Sequence, residues 1–263
     1  MKLGLQREIV FQLGALMVSF LLVHSFYTAV VRPAAQEDLA QQAALLEAGQ
    51  TPEQRSVWVV VKDFEQETCF VLMFWALSIM GYKAARNIGE QRILERELVP
   101  LAEGSKILPE DARQLARPIE SMPETAQDFL LPRIMLVALQ RLSTGASVQE
   151  ISESVRDECE TESQRLDSEL SMIRYIAWAI PSIGFIGTVR GIGDALANAH
   201  EAVEGNIAGV TASLGVAFNS TFIALLISIL IMFFSYQLTL HQERLVLQAQ
   251  RYCDRHLLRK IKG

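Results

Sequence analysis

Polar and apolar positions segregate along this chain instead of interleaving. Asp, Glu, Lys and Arg are absent from four stretches, residues 9–31, 68–82, 175–189 and 205–240, and crowd into the segments between them. A bilayer core of about 30 Å takes about 20 mostly apolar helical residues to cross, so the first and last stretches are long enough as they stand. The middle two are shorter, but Lys83, Arg86, Arg174 and Arg190 stand at their margins, where long cationic side chains reach back to the interface. The pattern predicts an all-α, polytopic membrane protein with four transmembrane helices, over 1–31, 68–86, 171–192 and 209–240. The first begins with Lys2 and Arg7, as a secretory signal would, yet its apolar run is too long for an h-region and no A-x-A site follows. It reads as a retained anchor.

The intervening segments give an expected orientation. Residues 32–67 carry Arg32, Arg55 and Lys62 against seven acids, and 193–208 carry no Lys or Arg, whereas the tail 241–263 holds six cations against two acids. Short loops rich in Lys and Arg stay cytoplasmic. Both termini and the long segment 87–170 are therefore expected in the cytoplasm, with 32–67 and 193–208 as periplasmic loops. Within the first loop, the Ala- and Gln-rich run 36–48 can be helical. In the central segment Arg92, Glu95, Arg96 and Glu97 allow charge pairing on a helix over 86–101. Gly104, Pro109, Pro118, Pro123 and Pro132 then divide the chain into short helices and turns. Ser147, three residues before Glu150, fits a capping box, from which a helix is expected to run unbroken into the third span. The fourth span is expected to extend into the cytoplasm in the same way from Leu238.

Composition acts mainly by exclusion. Half of the 263 residues are hydrophobic, 21% are charged, the mean hydropathy is +0.22 and the net charge is −6. An acidic balance without a basic patch argues against nucleic acid as a partner. Cys69, Cys159 and Cys253 stand far apart, which suggests neither a disulfide framework nor a zinc site. No nucleophile–base constellation, metal spacing or phosphate loop is apparent, so neither an enzyme nor a metal or cofactor is expected.

The last two spans carry the informative residues. In the third, Ala177, Pro181, Gly184 and Thr188 share a helical face, narrow and nearly featureless apart from one hydroxyl, while Gly187 and Gly191 form a small-xxx-small pair that lets another backbone approach. In the fourth, Leu214, Ala217, Thr221, Leu225 and Ser228 share a face, and Asn219 and Ser220 point elsewhere, free to bond across helices. The plain alternative is that all of this serves helix packing, with Thr188 bonded back to its own i−4 carbonyl. Neither span has an acid or histidine in its middle. A carrier that moves ions by itself places an ionisable group in the membrane.

The run from Pro181 to Ile192, P-S-I-G-F-I-G-T-V-R-G-I, resembles the "P-x-x-G-x-x-G-T-V-x-G-I" signature of the MotA/TolQ/ExbB proton-channel family. The run 216–229, with Ala217, Thr221 and Leu225, is similar to its second signature, "A-L-x-x-T-x-x-G-L-x-x-A-I-P". The resemblance implies a ring, a pentamer, whose lumen is lined by these two helices around single-span ExbD/TolR/MotB-like partners, two copies, each supplying one membrane aspartate that carries the ion. By resemblance Thr188 and Thr221 line the ion route, and Pro181 bends the third span and acts as a hinge. The chain departs from the family at Arg190, often tryptophan there, at Ala224, where the second motif has glycine, and at Leu230, where it has proline. Arg190 lies one helical turn before Asp194; the pair is either a local ion pair at the outer surface or a charge that tunes ion access. Four spans is the MotA count, yet the long first loop, the absence of an obvious rotor-matching charged pair and the short tail favour a less specialised branch.

The expected function is the channel-forming subunit of a proton-driven motor in a bacterial inner membrane, with H⁺ favoured over Na⁺ on family frequency. The alternative is a structural oligomeric scaffold in which the signatures serve packing alone. An autonomous transporter is disfavoured by the missing intramembrane charge and by the absence of inverted repeats.

Overall fold

The computed structural model of the chain describes residues 2–47, 56–96, 98, 106–203 and 205–261. In chain order its helices are α1 (Lys2–Phe26), a π-helical turn (Tyr27–Val31), α2 (Arg32–Glu47), α3 (Val57–Val61), α4 (Phe64–Leu94), α5 (Ala112–Glu120), α6 (Glu124–Gln127), α7 (Leu130–Ser143), α8 (Val148–Glu169), α9 (Ser171–Ala197), α10 (Ala199–Val203) and α11 (Ala208–His256). Among the described residues no strand forms, and an isolated parallel bridge pairs Ile107 with Ile261. Four helical runs are long and apolar enough to cross a membrane, within Glu8–Leu45, Phe64–Leu94, Val148–Ala197 and Ala208–Lys260. The chain has the all-α, four-span character that its polar and apolar segregation predicts.

Local chemistry explains where elements start and stop. The capping box at α8 forms as expected: the Ser147 hydroxyl accepts from the Glu150 N–H at 3.3 Å, and the Glu150 carboxylate accepts from the Ser147 N–H at 2.7 Å. The helix that begins there is not unbroken. Leu170 interrupts it, its N–H reaching back three residues to the Asp167 carbonyl at 3.1 Å instead of four. At α4, Gln66 serves the helix start twice, accepting from the Asp63 N–H at 2.8 Å and donating to the Val60 carbonyl at 3.0 Å. The helical run expected over 36–48 is α2 up to Glu47, and the one expected over 86–101 belongs to α4 up to Leu94. Ala48, Glu97 and Gly104 lie outside the described residues.

The chain divides into two compact units, one of residues 1–80 with 172–235, the other of 81–171 with 236–263. In the first, Val23, Tyr27, Val31 and Val71 form a small core, and the Trp75 indole N–H donates to the Gln12 carbonyl at 2.8 Å, tying α4 to α1. The second has the larger core. Its α7 places Leu130, Ile134, Met135, Ala138, Leu139 and Leu142 on one stripe, all at most 2% exposed, packed with Ile151 of α8 and Ala249 and Cys253 of α11. Beside this core Glu162, 2% exposed, takes hydrogen bonds from the guanidinium groups of Arg133, at 2.7 Å, and Arg165. Buried Lys83 donates to Glu169 at 2.8 Å.

Candidate functional site

The two signature helices meet inside the first unit, and glycine decides how closely. A Cβ placed on Gly184 would stand 2.5 Å from the Ala224 Cβ, one on Gly187 2.5 Å from the Ser220 Cβ, and one on Gly191 2.7 Å from both the Ala217 nitrogen and the Ser213 carbonyl oxygen. These contacts climb α9 as they descend α11, so the pair is antiparallel and in close backbone contact along three successive steps. Ala217, Ser220 and Ala224 are all at most 1% exposed. Ala224, the departure from the second motif's glycine, stands directly opposite Gly184. Gly184, Gly187 and Gly191, the three glycines expected to serve helix packing, all lie on this contact.

Close approach brings side-chain hydroxyls onto the neighbouring backbone. Thr188 and Thr221, one from each signature, are hydrogen-bonded to each other. The Thr221 hydroxyl also lies 3.1 Å from the Gly184 carbonyl, and the Thr188 hydroxyl 3.0 Å from the Ala217 carbonyl. The bond of Thr188 to its own i−4 carbonyl is longer, at 3.4 Å. Seven residues along each helix the pattern repeats: the Ser228 hydroxyl donates to the Ala177 carbonyl at 2.9 Å. Ala177 is the residue whose carbonyl would otherwise accept from position 181, and Pro181 has no N–H to give. Pro181 lies inside α9, with Ser171–Ala197 helical on both sides of it.

The first turn of α4 packs onto the same pair. Gln66, fully buried, lies 3.5 Å from the Ser220 hydroxyl, and the Glu65 Cγ comes within 3.2 Å of where a Gly187 Cβ would be. Arg190 spends its guanidinium here. Its Nε and Nη2 donate to the two oxygens of Glu65 at 2.7 and 2.8 Å, while Asp194 stands 4.0 Å away and half-exposed. The local i,i+4 pair with Asp194 is the weaker of the two contacts. A bidentate fork onto one carboxylate is the geometry guanidinium favours.

A second cluster lies on the other flank of that turn. The Glu67 carboxylate, 6% exposed as a residue, is bonded by the His24 imidazole at 2.7 Å and by Arg32, whose guanidinium also lies 4.6 Å from the centre of the Phe64 ring. Sequence reasoning places none of Glu65, Gln66, Glu67 and His24 at a site. The available signals were a lone imidazole within an apolar stretch and two carboxylates at its neighbour's edge.

Two apolar helices closed by a glycine face, with hydroxyls turned onto each other's carbonyls, define a polytopic helical membrane protein with a polar seam in its membrane part. Residues 126–251 match the model of the MotA/TolQ/ExbB proton channel family. The likeness to that family, and with it the proton-channel type of membrane protein, rests on the segment that holds α9 and most of α11. No curated protein and no solved structure matches the chain.

Proposed function

We propose that the chain is the ring-forming channel subunit of a proton-driven motor in a bacterial inner membrane, with both termini cytoplasmic. Five copies would surround two single-span ExbD/TolR/MotB-like helices, whose membrane aspartate takes the proton in turn. The observation that carries this reading is the meeting of Thr188 with Thr221. The hydroxyls of two separate signatures converge on one level of one helix pair, where a partner's carboxylate can exchange hydrogen bonds with them. Exposed apolar side chains on the same helices, Trp178 at 76%, Phe185 at 64% and Phe222 at 58%, leave room for neighbouring subunits and for lipid. The membrane potential supplies about 2.3 kcal/mol per charge per 100 mV, and alternate protonation would turn or ratchet the partner to work on the periplasm or envelope. The chain itself supplies no catalytic group and no cofactor in this scheme.

A specific observation favours the scaffold as the second reading: both threonine hydroxyls already have partners within the chain. The test is Thr188→Val with Thr221→Val, co-expressed with the partner and reconstituted in vesicles. Normal assembly with proton flux and motor-dependent function lost supports the channel. Failed assembly that Thr→Ser variants restore, or unchanged flux in an assembled complex, supports the scaffold and overturns the proposal.

A further inference from the structure

Two helices of the second unit carry exposed stripes of opposite charge. On α8, Glu153, Asp157 and Glu160 follow one another at spacings of four and three residues and are all exposed, which puts them on one helical face, with Arg156 at its margin. That face is turned away from the buried Ile151, Val155, Cys159 and Leu166. On α11, beyond the apolar stretch, Arg244, Leu247, Gln248, Arg251 and Arg255 share an exposed face, turned away from the buried Val246, Ala249 and Cys253. Among the described residues, Arg244, Arg251 and Arg255 pair with no acid of the chain, and Asp157 and Glu160 with no cation. The two acids that follow the apolar stretch are engaged elsewhere. Asp254 is bonded by Arg259 at 3.0 Å, and Glu243 lines a small cavity of about 50 Å³ shared with α8.

Within one chain the two helices run antiparallel. Leu166 and Leu170 meet Gln242 and Val246 around that cavity, and α8 also meets the Leu258–Lys260 turn that follows α11. Along both helices from the cavity, Asp157 comes level with Arg255 and Glu160 with Arg251, to within one residue's rise of about 1.5 Å. Both stripes face away from the shared core, so they do not meet inside one chain. We propose that in the assembled ring the arginine stripe of one subunit docks on the acidic stripe of its neighbour, Arg255 facing Asp157 and Arg251 facing Glu160. The inference rests on the ring reading above. Subunits related by rotation about the membrane normal keep every residue at its own height, so stripes level within one chain are level between neighbours. A two-fold contact through either stripe would set arginine on arginine or acid on acid. Opposite signs on two faces fit a head-to-tail contact, the kind that closes rings. Exposed ion pairs add little adhesion each; they fix which surface meets which, and in what register. Leu247, 51% exposed between Arg244 and Arg251, adds apolar area to the same contact. Anionic lipid headgroups fit the arginines less well. Arg251 and Arg255 stand eleven and fifteen residues beyond Leu240, about 16 and 22 Å of helix, whereas headgroups add only about 5–8 Å to each side of the hydrocarbon.

Two differently tagged copies of the full chain are co-expressed, one with Glu160→Cys and the other with Arg251→Cys, and the membranes are treated with a short bismaleimide. Cys69, Cys159 and Cys253 are buried and stay in place. A cross-linked dimer carrying both tags is expected, and none from either substitution alone. In the assembled protein, Arg251→Glu with Arg255→Glu should lower the fraction of intact ring, read by native mass, on the order of tenfold. Adding Asp157→Arg with Glu160→Arg should restore it, which a surface bound by lipid headgroups would not do. Dimers that link Glu160→Cys to itself, no mixed dimer from intact rings, or charge reversal without effect or without rescue would overturn this pairing and leave the ring standing. Wild-type protein that is monomeric by native mass and gives no cross-link in the membrane would overturn the ring reading, and this inference with it.

Discussion

Ser228 answers a deficit that Pro181 creates. The proline leaves the Ala177 carbonyl without its helical donor, and in a membrane an unpaired carbonyl finds no water to compensate; the Ser228 hydroxyl donates at 2.9 Å instead. Ser228→Ala should therefore destabilise the α9–α11 pair by about 1 kcal/mol. In a Pro181→Ala background, where the substituted residue supplies the missing N–H, the same change should cost almost nothing. A double-mutant cycle on thermal unfolding of the purified protein measures this coupling, and simple additivity would refute it. The glycines give a sharper contrast. Gly184→Ala meets the Ala224 methyl at 2.5 Å and Gly191→Ala meets backbone atoms of Ser213 and Ala217 at 2.7 Å, each overpacking by about 1–3 kcal/mol. Ala224→Gly should recover part of the stability lost in Gly184→Ala, because a side chain is the nearest obstacle there. Ala217→Gly should not rescue Gly191→Ala, because the obstacle is backbone. Thermal unfolding of the four variants would distinguish the two cases.

Among elements, the first turn of α4 acts as a brace on α9. Glu65, with a side chain 12% exposed, is held by both arms of Arg190, so Arg190→Gln leaves a mostly buried carboxylate without its cation. That single change should lower thermal stability more than Arg190→Gln with Glu65→Gln together; the opposite order would show Arg190 to be a surface charge of no structural weight. In the second unit Glu162 pins α8 to α7. It belongs to the charged helix outside the apolar stretch 175–189. Burial alone would push its carboxyl up, but hydrogen bonds from Arg165 and Arg133 outweigh this and hold it below the usual carboxylate range. A depressed carboxylate stabilises fully above its unfolded value of about 4.3, and the contribution disappears as pH falls through the folded value. Glu162→Gln should cost about 2 kcal/mol at neutral pH and flatten the loss of stability in acid, as pH-dependent unfolding would report. Much of this level was legible in sequence: Ser147 and Glu150 cap a helix by a rule confined to four residues, and the glycines of the third span advertise a helix contact by spacing, whereas Thr188 and Thr221 stood out only through the resemblance of their two motifs. The partner of Arg190 was not, because Glu65 lies 125 residues away and the nearer Asp194 satisfies a local rule equally well. Nor was the break at Leu170, since an apolar residue carries no stop signal.

For the molecule as a whole, the decisive question is where a proton can rest within the bilayer. Helices α9 and α11 present no Asp, Glu or His over 175–189 or 205–240, so the seam between them offers hydroxyls and carbonyls, which pass or orient a proton but do not store it. The titratable groups of the first unit that lie against apolar helix include Glu65, forked by Arg190 beside Gly187, and His24 and Glu67 on α1 and α4, where Arg32 completes the cluster and the imidazole and guanidinium both bond the one carboxylate. Each of these carboxylates is already engaged by side chains of this same chain. The assembled chain alone, reconstituted in vesicles under an imposed potential, should then pass no more protons than empty vesicles. Flux should appear only with a single-span partner bearing a membrane aspartate, and disappear when that aspartate becomes asparagine. His24→Gln should leave the partner-dependent flux within about twofold, since its hydrogen bond to Glu67 survives in a neutral form at a cost of about 1 kcal/mol or less. Proton flux from the chain alone that vanished in His24→Gln would move the carrier from a second polypeptide into this one, and would leave the threonine pair as a packing device.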